Sequence, residues 1–157
     1  MDLGTAIIGS LCVAICAMPF VLTTRNRKKK EQQLETSIIA LAQQYYCKIT
    51  QHEICGNYII GVDEKKNFLF FQNHLETEIK QQVIDLSTIN NCYACRQNSK
   101  NENLERLELK FRFTDKSKPE IALEFYNQDI NFQLSGEIQS IEKWNELVRK
   151  QLISIKP

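Results

Sequence analysis

The sequence predicts an α+β protein: an N-terminal transmembrane helix, then a bent antiparallel sheet or barrel of seven strands, capped by a C-terminal helix. Three observations carry this. Residues 3–22 hold no charged side chain. From residue 58 to 134, apolar side chains come in short blocks or alternate with polar ones, the period of strands. Beyond Gly136 the period lengthens to that of a helix.

The twenty residues 3–22 rise about 30 Å as a helix, the thickness of a bilayer's hydrocarbon core. Pro19 lies near the end of the run, where a kink is tolerated. A cleaved signal peptide carries cations ahead of its apolar run, and only Met1 and Asp2 stand there. A lipoprotein signal ends in a small residue before its cysteine, and Ile15 precedes Cys16. A retained signal anchor accounts both for the length and for the cations that follow, Arg25, Arg27, Lys28, Lys29 and Lys30. The positive-inside rule then predicts a single-pass protein of the inner or plasma membrane with its C-terminal domain in the cytoplasm. The same five cations are candidates for contact with anionic lipid headgroups. Ala6, Ser10 and Ala14 recur every four residues, a small-residue stripe of the kind that lets two such helices pair as a homodimer.

Residues 23–48 read as a basic juxtamembrane segment and a connecting helix. Leu34, Ile38, Leu41 and Tyr45 share one helical face, broadened by Ile39, Ala42 and Tyr46. Two heptads are too few for a free coiled coil, so this stripe is expected to pack on the domain that follows.

Residues 49–157 form that domain. Tyr58 to Val62 and Phe68 to Phe71 are apolar runs separated by a polar turn, Asp63-Glu64-Lys65-Lys66-Asn67. Val83 to Leu86 and Asn91 to Arg96 read as two further strands. Leu107, Leu109, Phe111 and Phe113 alternate with Glu108, Lys110 and Arg112, so one face of that strand is buried and the other wet. A turn at Asp115-Lys116-Ser117-Lys118-Pro119 leads into the alternation of Ile121, Leu123 and Phe125. Ile130, Phe132 and Leu134 read as a seventh strand. From Glu137, the residues Ile138, Ile141, Trp144 or Asn145, Val148 and Leu152 share a helical face that Leu147 widens, with Ser135 or Ser140 as the cap.

This order resembles the pleckstrin-homology-like superfold. The resemblance rests on the paired strands around Asp63 to Asn67, the Ile84-Asp85-Leu86-Ser87-Thr88-Ile89 segment leading into Asn91 to Arg96, the hairpin around Lys116, and the final helix with Trp144. As a whole the chain looks like uncharacterised bacterial membrane-anchored proteins that carry such a domain. The resemblance implies a binding or scaffolding role. Related domains contact lipid through basic residues of the first hairpin. Here that turn offers Lys65 and Lys66 beside Asp63 and Glu64, and Phe68 to Phe71 adds no cation.

Little in the sequence points to chemistry. Fifteen Lys and Arg against sixteen Asp and Glu leave residues 48–157 at net −1, too neutral for nucleic acid. Cys92-Tyr93-Ala94-Cys95 has redox spacing, but it falls in a strand, where positions i and i+3 face opposite sides. Cys47 and Cys55 are separated by seven residues, too far for a second zinc pair. The domain is large enough to dispense with disulfides, so reduced thiols are expected. His52 and His74 lie in polar stretches with no neighbouring triad partner. The five glycines form no phosphate-cradling loop, and no cofactor or metal is expected.

The sequence therefore predicts a non-catalytic, membrane-tethered module for a protein or peptide partner. Its expected site is the groove between the last helix and a sheet edge, with Trp144 and Val148 as partner-binding positions. Two other readings stand beside it. One is a sensor of anionic lipid that uses the five cations with Lys65, Lys66, Lys116 and Lys118. The other is an enzyme whose site is assembled only by folding.

Overall fold

The structure is a computed structural model that describes residues 2–157. The chain divides into two compact units, the first ending at Thr36 and the second spanning Ser37–Pro157. The first unit is helical throughout, from Leu3 onward, as part of helix α1, Leu3–Gln44. Its 18-residue window of mean hydropathy 2.3 makes α1 long and apolar enough to cross a membrane. Pro19 lacks the N–H that would bond to Ile15. The hydroxyl of Thr23 donates to the Pro19 carbonyl at 2.6 Å, and that of Thr24 donates to Val21 at 2.9 Å.

The second unit begins inside α1. α1 closes with Tyr46 in the left-handed region (φ 56°) while the Cys47 N–H donates to the Ala42 carbonyl at 2.9 Å. Four antiparallel strands follow in sequential order: β1 Gln51–Cys55, β2 Tyr58–Asp63, β3 Phe68–His74 and β4 Ile79–Asp85. A single 3₁₀ turn, Leu86–Thr88, breaks the ladder there; the Asp85 carboxylate accepts the Ser87 N–H at 3.0 Å. A second antiparallel sheet contains β5 Ile89–Asn98, β6 Leu104–Phe113 and β7 Ile121–Asn127, again in sequential order. Helix α2, Glu137–Ile155, ends the chain. The architecture is thus two sheets of four and three strands and not a closed barrel.

The described residues form seven strands, but two of the positions differ from expectation. β1 is an extra strand whose Gln51-His52-Glu53 start carries no apolar period. Residues 130–134 form no strand, because Asn127 ends β7 and folds the chain back. Its side-chain oxygen accepts the Asp129 N–H at 3.0 Å, and its carbonyl accepts the Asn131 N–H at 2.9 Å.

The two sheets face each other across one core. Tyr58, Ile60, Val62, Leu69 and Phe71 of the first sheet meet Leu107, Leu109, Phe111, Leu123 and Phe125 of the second. Ile141, Trp144, Val148 and Leu152 of α2 complete it. Each such side chain contributes about 1.5–3 kcal/mol by leaving water. α2 starts at Gly136 (φ 105°), which caps without a side-chain bond, so neither Ser135 nor Ser140 is the cap. The first sheet also has a covered outer face. Ile38, Leu41 and Ala42 of α1 are buried, and Ile38 lies against the Cα of Gly61, where a Cβ would stand 3.2 Å from its methyl. Tyr45 packs beside Phe68 and Phe70, at ring centroid distances of 6.2 and 6.0 Å.

Candidate interaction surface

Arg25, Arg27, Lys28, Lys29 and Lys30 are exposed on α1, and Arg27 pairs with Glu31 at 3.2 Å. Ala6, Ser10 and Ala14 are exposed on the same helix. Trp144 and Val148 lie elsewhere than a binding surface requires: they are 1% and 0% exposed, core residues of α2. Any partner on that helix meets its other positions.

The groove beside α2 is bridged by polar contacts. β5 pairs with β6 alone, and β1 with β2 alone, so each leaves one edge outside the ladder. Arg96 of β5 bonds Glu142 of α2 at 2.7 Å, and the Lys156 ammonium donates to the Asn90 carbonyl at 2.7 Å. Lys143 pairs with Glu53 of β1.

A polar cluster that sequence reasoning missed sits where β1 meets α2. Tyr58 donates its phenolic proton to the Ser140 hydroxyl at 2.8 Å, and the Glu137 carboxylate, 1% exposed, accepts the Ser135 N–H. The Cys55 thiol donates to the Ser135 carbonyl at 3.7 Å. Burial works to raise the Glu53 carboxyl, and hydrogen bonds from Lys143 and Ser140 outweigh it, so it sits below its usual range. Burial pushes the Cys55 thiol and the Tyr58 phenol up. These groups are held neutral or paired, which is what a structural joint does and not what an activated nucleophile needs. The pairs lie 82 and 90 residues apart in sequence. A lone Tyr in an aliphatic strand, whose hydroxyl needs a partner once buried, was the one local signal.

The remaining sequence candidates are accounted for individually. Cys92 is buried on β5 and its thiol donates to the Asn145 side-chain oxygen at 3.4 Å. Burial pushes that thiol up to about 11, away from redox or nucleophilic use. Cys95 is partly exposed on the same strand, and all six cysteines are free thiols. His52 is on β1 and His74 ends β3. No group of three or more His, Cys, Asp or Glu among the described residues could hold a metal. Lys65 and Lys66 lie on the turn between β2 and β3, the second hairpin once β1 is counted, and Lys66 donates to the Tyr46 carbonyl at the end of α1. Lys118 lies over the Phe113 ring, 5.4 Å from its centroid.

Two surface features remain. A shallow polar cleft of about 240 Å³ is lined by Gln97, Glu105, Arg106, Asn127, Gln128 and Asp129, and Arg106 is paired with Glu124 at 3.6 Å. Beside it, the segment after β7 exposes Ile130, Phe132 and Leu134 at 41%, 90% and 44%.

The fold and surface define an α+β protein with an N-terminal helix able to span a bilayer. No family model, curated protein or solved structure matches the chain.

Proposed function

We propose that the chain is a single-pass membrane protein whose folded unit lies in the cytoplasm and serves as a tethered interaction module of pleckstrin-homology-like type. One observation carries it: residues 3–22 hold no charge, and five cations crowd residues 25–30 directly after them. Tethering confines the unit to the membrane plane and raises its effective concentration for partners there. The arrangement of four strands, three strands and a terminal helix supports the pleckstrin-homology-like reading. The edge of β5 that pairs with no strand, beside α2, is the binding groove in this reading, with a protein or peptide as its occupant.

Labelling tests the location. Cys55 and Cys92 are buried and report poorly, whereas Lys116 is exposed on the β6–β7 turn. In intact cells, a membrane-impermeant maleimide is expected to leave Lys116→Cys unlabelled until lysis. Labelling before lysis inverts the topology, and recovery in the carbonate-soluble fraction removes the anchor.

A further inference from the structure

The folded unit presents its exposed apolar segment at the end where the chain comes in. The Ser37 carbonyl accepts the Gln72 side-chain amide at 3.4 Å, and Tyr46 lies at the other end, held by Lys66. The incoming helix therefore starts near the Gln72 end of β3. That end also carries the β1–β2 turn, since the His74 N–H donates to the Asn57 carbonyl at 2.8 Å. Asn57 in turn donates its amide to the Asn131 side chain at 3.0 Å, and Cys55 reaches Ser135. Residues 128–135 are thus fastened, at Asn131 and at Ser135, to the end of the unit that receives the tether.

The segment has the chemistry of a bilayer contact. Phe132 is 90% exposed, Ile130 and Leu134 flank it at 41% and 44%, and Asp129 is the sole charge from 128 to 135. Three exposed apolar side chains in one short segment mark a contact surface. The fourteen residues 23–36 rise about 21 Å as a helix, of which the headgroup layer occupies about 6 Å. The tether between the headgroups and Ser37 is therefore about 15 Å long as a helix.

We propose that residues 128–135 are a second membrane contact, in which Phe132, with Ile130 and Leu134, enters the headgroup–acyl boundary of the bilayer that α1 crosses. This rests on the membrane-anchor reading above. Aromatic and aliphatic side chains on a short loop suit that boundary, and the contact would fix the orientation of the β5–α2 groove relative to the membrane.

The test uses the full chain in vesicles of phosphatidylcholine and phosphatidylglycerol, with and without bromine on the acyl chains. Trp144, the one native tryptophan, is buried and gives a constant background. Three variants are compared: Phe132→Trp, Ser117→Trp on the exposed turn at the opposite end of the second sheet, and Phe20→Trp within the apolar run. The added emission of Phe132→Trp is expected to shift to the blue and to lose its larger part in brominated vesicles, as Phe20→Trp does. Ser117→Trp is expected to lose none. If Phe20→Trp is quenched and Phe132→Trp is not, the second contact is overturned and the anchor stands. If neither is quenched, both readings fall. A blue shift of Phe132→Trp found in native membranes but absent from pure lipid assigns the segment to a protein partner and also overturns the proposal.

Discussion

The two sheets share antiparallel pairing and a common core, yet the central strands of the first, β2 and β3, are buried on both faces and the second sheet on one. β2 is buried along its whole length, and its outer position Gly61 is covered by Ile38 of α1 and by Ile49. β6 alternates instead, with Leu107, Leu109 and Phe111 at 0% exposure and Glu108, Lys110 and Arg112 turned outward. The same topology thus tolerates opposite residue patterns, because what lies over a sheet decides which side chains its outer face can hold. The covered sheet is also the one that receives the chain from α1, so the helix end is part of the folded unit's core.

The largest test of this difference is Phe70→Ala. Phe70 is 0% exposed on the outer face of the first sheet, against Tyr45. Its loss is expected to cost about 3–5 kcal/mol in chemical denaturation of the full chain in non-ionic detergent. A cost under about 1 kcal/mol would mean that the helix end does not cover that sheet. Gly61→Val is the converse. Its Cβ would stand only 3.2 Å from the methyls of Ile38 and Ile49, and the crowding is expected to cost about 1–3 kcal/mol. The matching change on the second sheet, Ala122→Val on its partly exposed strand, has no such cover to meet and is expected to be near neutral.

These patterns explain what the sequence made legible. Strand alternation in β6 and β7, the period change at Gly136 and the apolar charge-free run were all local, and local signals survive folding. β1 was illegible because an edge strand of Gln51-His52-Glu53 needs no apolar face. Ile130, Phe132 and Leu134 misled because alternation marks a strand only where a neighbour offers a free ladder, and the Asn127 turn directs the chain away from one. Trp144 and Val148 were the strongest features of α2 for the same reason that they are unavailable to a partner: they fill the core. The Glu53–Lys143 and Tyr58–Ser140 pairs join residues far apart in sequence, so no spacing rule could show them.

Asp63 sharpens the comparison at the junction of helix and sheet. It is 3% exposed and accepts the backbone N–H groups of Lys48, Lys65 and Lys66 at 2.7, 3.0 and 3.0 Å. Burial works to raise its carboxyl, but those bonds and the Lys66 ammonium prevail and hold it below its usual range. A carboxylate lowered on folding stabilises the native state above its unfolded value near pH 4, and that contribution is lost as pH falls through the folded value. Asp63→Asn is expected to cost about 1.5–3 kcal/mol at neutral pH, with the gap to the parent narrowing below about pH 4. A gap independent of pH would show that the charge is not what ties the end of α1 to the turn.

The smallest effect is expected on the wet face of the second sheet. Lys110 lies 3.6 Å from Glu108, with side-chain exposures of 25% and 15%, and its neighbours across the strands are Tyr93 and Ala122. Such a pair gains little Coulomb energy because water still reaches both partners, and ordering two long side chains offsets part of that gain. Lys110→Met keeps most of the apolar stem over the sheet while removing the charge. It is expected to change stability by about 0.2–1 kcal/mol, and the difference should shrink as salt is raised. A loss as large as that of Phe70→Ala, insensitive to salt, would mean that this face is covered by something that excludes water. The contrast between the sheets would then belong to the isolated chain alone, and the second sheet's outer face would become an interface in its own right.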